Sequence, residues 1–160
     1  MDRFVSRFTN KVDAKGRVSV PAPYRAVLAK ENFDAVYCYR NLDLPAIDAG
    51  GGKLVSTIDG LLEKIPPFSD EYEQLATALY GESDQPKIDG DGRIILSEAL
   101  KTHAGITDQV VFVGLGFKFQ IWEPARFEAH LAQGRERLRD LKALLGTARG
   151  EAPAPGGARE

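Results

Sequence analysis

Two short stretches carry the residues best suited to chemistry, Asp13-Ala14-Lys15-Gly16-Arg17 and Asp89-Gly90-Asp91-Gly92-Arg93. In each, a carboxylate stands four residues before an arginine, across a glycine. The carboxylate can accept backbone N–H groups of a turn or pair with the guanidinium and fix its direction, which accounts for the aspartates as purely structural residues. It does not account for a long, permanently charged fork at the same place twice. The planar fork of arginine suits bidentate recognition of phosphate or of a guanine edge, and that is the chemistry these residue types offer. Lys15 adds a cation to the first copy, whereas Asp91 occupies the matching place in the second, so the first turn is expected to dominate the attraction of anions.

Other chemistries fit these residues worse. A calcium loop beginning at Asp89 needs an oxygen ligand at its fifth position and a glutamate at its twelfth, where Arg93 and Leu100 stand. Two aspartates sharing a proton need hydroxyl-and-glycine surroundings, but Ala14-Lys15 and Gly90-Asp91 follow here, and Arg17 and Arg93 would hold both carboxylates ionised. Gly114-Leu115-Gly116 lacks the third glycine of a dinucleotide fingerprint, and Gly50-Gly51-Gly52 leads into no phosphate-loop pattern. His103, His130 and the single cysteine, Cys38, make no zinc or nucleophile constellation. The sequence therefore predicts no enzyme, no metal and no cofactor.

The elements that must position the turns follow from a repeat. An offset of 76 residues lays 12–20, Val-Asp-Ala-Lys-Gly-Arg-Val-Ser-Val, over 88–96, Ile-Asp-Gly-Asp-Gly-Arg-Ile-Ile-Leu. Apolar residues alternate on either side of the Gly-Arg pair, the pattern of strand, tight turn and strand, with glycine where φ must be positive. Each half continues with a short helical segment, at 23–30 and at 97–104, and a strand, at 33–39 and at 109–115. Units this small leave an apolar face bare, so the copies are expected to pack together as one pseudo-symmetric barrel. The organisation read from the sequence is a first half over 1–58, a linking helical segment over 59–82, a second half over 83–126, a C-terminal helix over 127–146 and a loose tail over 147–160. Ser69 caps the linking helix and Gly81 ends it, while Phe127, Leu131, Leu138, Leu141 and Leu145 form an apolar stripe on the C-terminal helix. The fold class expected is α+β, mainly β.

Charge is distributed unevenly about a total of −2. Residues 1–30 hold seven bases against two acids, a net of +5, while 31–100 hold five against fourteen, a net of −9. Arg3, Arg7, Lys11 and Arg25 belong to the basic segment, with Lys11 and Arg25 expected to flank the first turn, and join Lys15, Arg17 and Arg93 as candidate phosphate or base contacts; Asp13, Gly16, Asp89 and Gly92 shape the turns. No stretch reaches the ~20 apolar residues of a membrane span, and Met1 to Arg7 lacks the apolar run of a secretory signal, so a cytoplasmic location without a membrane partner is expected.

The motif Asp13-Ala14-Lys15-Gly16-Arg17-Val18-Ser19-Val20-Pro21 with Tyr24-Arg25, and its second copy through Leu96, resemble the AbrB-type swapped-hairpin DNA-binding motif. Two copies in one chain, with Phe119-Gln120-Ile121-Trp122-Glu123-Pro124 and a closing helix, resemble the MraZ family over about residues 1 to 145. The resemblance implies two AbrB-like half-barrels and a nucleoid-associated regulator, a repressor of the operon for division and cell-wall synthesis. It also implies ring-shaped homo-oligomers on repeated G-rich boxes of double-stranded promoter DNA, with Lys15, Arg17 and Arg93 at the DNA-contacting turns. The competing reading is an antitoxin-type module that binds a partner protein and DNA only secondarily.

Overall fold

The computed structural model describes residues 2–148, together with a two-residue pairing of Pro155–Gly156 with Ala158–Arg159. Most of the tail expected over 147–160 lies outside the described residues. The chain forms two compact units, Met1–Arg126 and Phe127–Glu160.

In the first unit the order is β1 (Arg7–Lys11), β2 (Arg17–Ser19), α1 (Ala22–Lys30), β3 (Tyr37–Arg40), β4 (Ile47–Gly50), α2 (Gly52–Leu62), α3 (Asp70–Ala76) and a π turn (Thr77–Gly81). It continues through β5 (Arg93–Ile95), α4 (Glu98–Ala104), β6 (Gln109–Gly114) and β7 (Phe119–Trp122). An antiparallel five-stranded sheet runs β1-β6-β7-β4-β3, and β2 pairs with β5 in a separate two-stranded ribbon. The fold is α+β with β-sheet at its centre, as the sequence implies, but the sheet does not close. β1 and β3 remain as edges because helices cover its second face, so closure is not needed to bury it.

Both faces of the sheet are buried with period two. Cys38, Ile47, Ala49, Phe112, Phe119 and Ile121 point into the main core, which the ribbon, α1 and α4 close from the other side. Tyr37 and Tyr39 point the opposite way, onto Leu54, Ile58 and Leu62 of α2 and Leu79 of the π turn. Asp48 is on the same second face, 3% exposed. Its carboxylate accepts from Lys118 Nζ at 2.9 Å, Gln120 Nε2 at 2.9 Å and Asn41 Nδ2 at 3.1 Å, so this buried charge is fully satisfied.

The two halves interleave rather than sit side by side. β1 of the first pairs with β6 of the second over five residues, from Arg7 opposite Val113 to Lys11 opposite Gln109. Tyr24 on α1 packs its ring against Phe112 and Phe119, with centroids 6.2 and 4.9 Å away. In the other direction α4 lies on β3 and β4, and His103 Nε2 is 3.1 Å from the Leu44 carbonyl. Each helix covers the other half's strands, which is why a single core serves both.

Helix α2 was not legible in the sequence and runs across the boundary expected at 58/59. Its start at Gly51-Gly52 has no side-chain cap, yet Leu54, Ile58 and Leu62 recur at four-residue intervals on its buried face. The C-terminal helix expected over 127–146 is instead two, α5 (Pro124–Glu136) and α6 (Leu138–Ala148), separated at Arg137, whose N–H turns back to the Gly134 carbonyl at 3.1 Å. Glycine has a low helix propensity and marks the break. On α6, Leu138, Leu141, Leu144 and Leu145 are all exposed.

Candidate nucleic-acid interface

Both turns are built by the same bonds. Asp13 N–H donates to the Arg17 carbonyl at 3.0 Å and Gly16 N–H to the Asp13 carbonyl at 2.9 Å; the corresponding distances from Asp89 and Gly92 are 2.9 and 3.0 Å. Gly16 and Gly92 have φ of +82° and +77°, the positive values expected from the sequence. Asp13 Oδ1 accepts from the N–H groups of Lys15 and Arg17, each at 2.9 Å, while Oδ2 takes Arg17 Nε at 2.7 Å. Asp89 does the same for Asp91 N–H, Arg93 N–H and Arg93 Nε, at 2.9, 3.0 and 3.2 Å. The Arg17 amide is the main cause holding the Asp13 carboxyl below its usual range, and the Arg93 amide does so for Asp89.

The ribbon brings these turns together. Val18 faces Ile94 at its centre, both 1% exposed, while Arg17 faces Ile95 and Ser19 faces Arg93. Cross-ties repeat the symmetry: Val20 N–H donates to the Gly92 carbonyl and Leu96 N–H to the Gly16 carbonyl, each at 2.9 Å. Because strand side chains alternate, Arg17, Ser19, Arg93 and Ile95 share the face opposite the core. Arg17 and Arg93 are diagonal neighbours there, about 7–8 Å apart at their Cα atoms, with side chains 34% and 31% exposed.

Their electrostatics differ. Asp13, Lys15 and Arg17 carry a net +1 and Asp89, Asp91 and Arg93 a net −1. Asp91 also takes Arg93 Nη2 at 3.2 Å, so two carboxylates hold that guanidinium. Among the described residues the Nη groups of Arg17 meet no acceptor, and Asp13 fixes the fork by Nε alone.

The other candidates separate into two groups. Lys11, exposed at the end of β1, immediately precedes Val12, whose bridge to Val18 starts the first hairpin. Arg7 lies at the opposite end of that strand, about 13 Å away at ~3.3 Å per residue, and Arg3 precedes Phe4, which bridges Gly116. The structure thus gathers Lys11, Lys15, Arg17 and Arg93 but not Arg3 or Arg7. Arg25, expected to flank the first turn, lies against the second: a Cβ on Gly92 would be 2.8 Å from its Cζ. The reason is the interleaving, which carries α1 across to the other half. Lys101, unremarked in the sequence, is its counterpart at an offset of 76, with Nζ 3.7 Å from the point where a Gly16 Cβ would stand. Extending the repeat from Arg25 would have found it.

Alternative sites gain nothing from the fold. No cluster of three or more His, Cys, Asp or Glu side chains able to hold a metal occurs among the described residues, and none of their helices is long and apolar enough to cross a membrane. Burial pushes the Cys38 thiol up to about 12 and away from nucleophilic use.

Comparison with known proteins finds relatives over nearly the whole chain. The profile of a family described as "MraZ protein, putative antitoxin-like" matches residues 79–144. The protein named transcriptional regulator MraZ of Xanthobacter autotrophicus is 57% identical over 147 residues, covering 92% of this chain and 94% of its own. That of Beijerinckia indica is 51% identical over the whole of both chains, and that of Rickettsia akari 41% identical over 91% of this one and 97% of its own. With relatives of that name matching from end to end, and two Asp-x-x-Gly-Arg turns on one outward face, the chain belongs to the MraZ family of transcriptional regulators.

Proposed function

We propose that this regulator binds double-stranded promoter DNA sequence-specifically, presenting the outer face of the β2–β5 ribbon to the major groove and repressing the division and cell-wall gene cluster from repeated G-rich boxes. The observation that carries the reading is the register of the ribbon, which sets both turn arginines on one exposed face. A two-stranded ribbon fits the width of the major groove, and an arginine with its Nη edge open suits the O6/N7 edge of guanine. Asp13 already fixes the direction of Arg17, so less side-chain freedom is lost on binding. Lys15 and Lys11 serve as point charges for flanking phosphates. The gene cluster and the box sequence come from the family resemblance, as does a cytoplasmic, nucleoid-associated location.

One chain offers few contacts, and homo-oligomers overcome this. Linked copies make later binding events intramolecular and raise avidity by roughly 10²-fold or more. The exposed leucines of α6 are the surface assigned to contact between copies in a ring. In a gel-shift titration of the promoter duplex, Arg17→Ala is expected to weaken binding by ~1–3 kcal/mol with the fold intact. Unaltered affinity would remove this turn from the interface.

A further inference from the structure

We propose that Arg25, a residue of the first half, is the phosphate-binding fork of the second turn in place of Arg93; this rests on the DNA-binding reading above and assigns its contacts at that turn. The Arg25 guanidinium lies flat against the turn backbone, since a Cβ on Gly92 would meet its Cζ and Nε at 2.8 Å and Nη1 at 3.0 Å. It is aimed there by Nε, which donates to the Val20 carbonyl at 3.0 Å, while Val20 N–H donates to the Gly92 carbonyl at 2.9 Å. The same bridge that joins the two halves therefore orients this side chain. Arg25 is exposed, and among the described residues no carboxylate pairs with it. Arg93 is in the opposite condition, with Nε on Asp89 and Nη2 on Asp91.

The symmetry-related places show the arrangement inverted. At the first turn the turn arginine, Arg17, keeps its Nη edge open and the helix cation, Lys101, is paired, with Nζ 3.0 Å from Glu98 Oε2. At the second, the helix cation is open and the turn arginine is held twice. The residue three before Lys101 is Glu98, and the one three before Arg25 is Ala22, which offers no carboxylate. Each turn thus presents one open fork, and at the second turn it comes from the opposite half. Its open Nη groups can take two oxygens of one phosphate.

The test uses the full chain, titrated across a salt series against its own upstream duplex and against a duplex of unrelated sequence. A phosphate contact is indifferent to base sequence and contributes about 0.9 to the slope of log affinity against log salt. Arg25→Ala is expected to weaken binding about tenfold on both duplexes and to flatten the slope by roughly that amount, and Arg93→Ala to do less on both measures. Arg25→Lys keeps the charge and is expected to keep the slope, which preserves the test should Arg25→Ala destabilise the fold, as its melting curve would report. An Arg93→Ala effect equal to or larger than that of Arg25→Ala, or an unchanged slope in Arg25→Ala, overturns the inference. Arg17→Ala separates the two levels: if it weakens binding while Arg25→Ala does not, only this inference fails, whereas a wild-type protein that binds neither duplex removes the DNA reading itself.

Discussion

The two turns share a backbone but not a charge. Gly16 and Gly92 have φ within a few degrees of each other, at +82° and +77°, and each aspartate caps the same two amides of its own turn. One residue separates them in effect: Lys15 points no carboxylate at Arg17, whereas Asp91 takes Arg93 Nη2 at 3.2 Å. The Asp-x-x-Gly-Arg pattern therefore specifies a turn, and its variable positions decide whether the arginine within it is available. A duplicated motif here gives two equal shapes with unequal chemistry.

The largest effect is expected where the ribbon holds the two turns together. Ile94, 1% exposed, pairs with Val18 between the turns. Ile94→Ala removes buried volume at that centre and is expected to cost ~2–5 kcal/mol in denaturant unfolding, with DNA binding lost at both turns together. Next come the glycines, where equal φ but different neighbours sharpen the contrast. Gly16→Ala pays the positive-φ penalty, roughly 1–3 kcal/mol, and also brings its Cβ to 3.0 Å from the Leu96 carbonyl, a backbone atom that cannot swing away. Gly92→Ala pays the same penalty against the movable end of Arg25, so it should melt higher than Gly16→Ala.

A smaller effect is expected from equalising charge. Asp91→Lys gives the second turn the composition of the first and releases Arg93 Nη2, and promoter affinity should rise about fivefold, ~1 kcal/mol. The reverse change, Lys15→Asp, should lower affinity, and titrations of the two variants against one duplex would show whether the turns respond with opposite sign. The smallest effect separates shape from charge by acid. Asp13 and Asp89 have folded-state carboxyls below their ordinary range, so the stability they add is present above the unfolded value near ~3.9 and is lost as pH falls below it. Thermal melts should therefore show no contribution from either turn to a change between pH 7 and 5, and a decline below about pH 4 that is reduced in an Asp13→Asn, Asp89→Asn double variant.

Much of this was legible because it is local. The offset of 76 residues exposes the duplication, glycine before arginine marks the positive φ, and Ser69 reads as a cap, which it is, accepting Tyr72 N–H at 3.1 Å. What crosses between the halves was not legible. Alternation fixes which face Val18 takes, but nothing local says that its partner is Ile94, so sequence order sets Arg25 beside the first turn while the fold carries it to the second and brings Lys101 to the first. Asp91 showed as a charge difference, yet its bond to Arg93 depends on how the turn folds the side chain back. Helix α2 stayed hidden behind Gly51 and Gly52, because its apolar spacing lacked the start signals that make such spacing readable.

Footprinting the purified chain on the DNA upstream of its own gene, at low and high salt and beside Arg17→Ala, asks whether the turn arginines hold the protein on its promoter. Protection of repeated short boxes should fade steeply as salt rises and be weakened by the substitution. Absence of protection, or protection indifferent to both salt and Arg17, would contradict it.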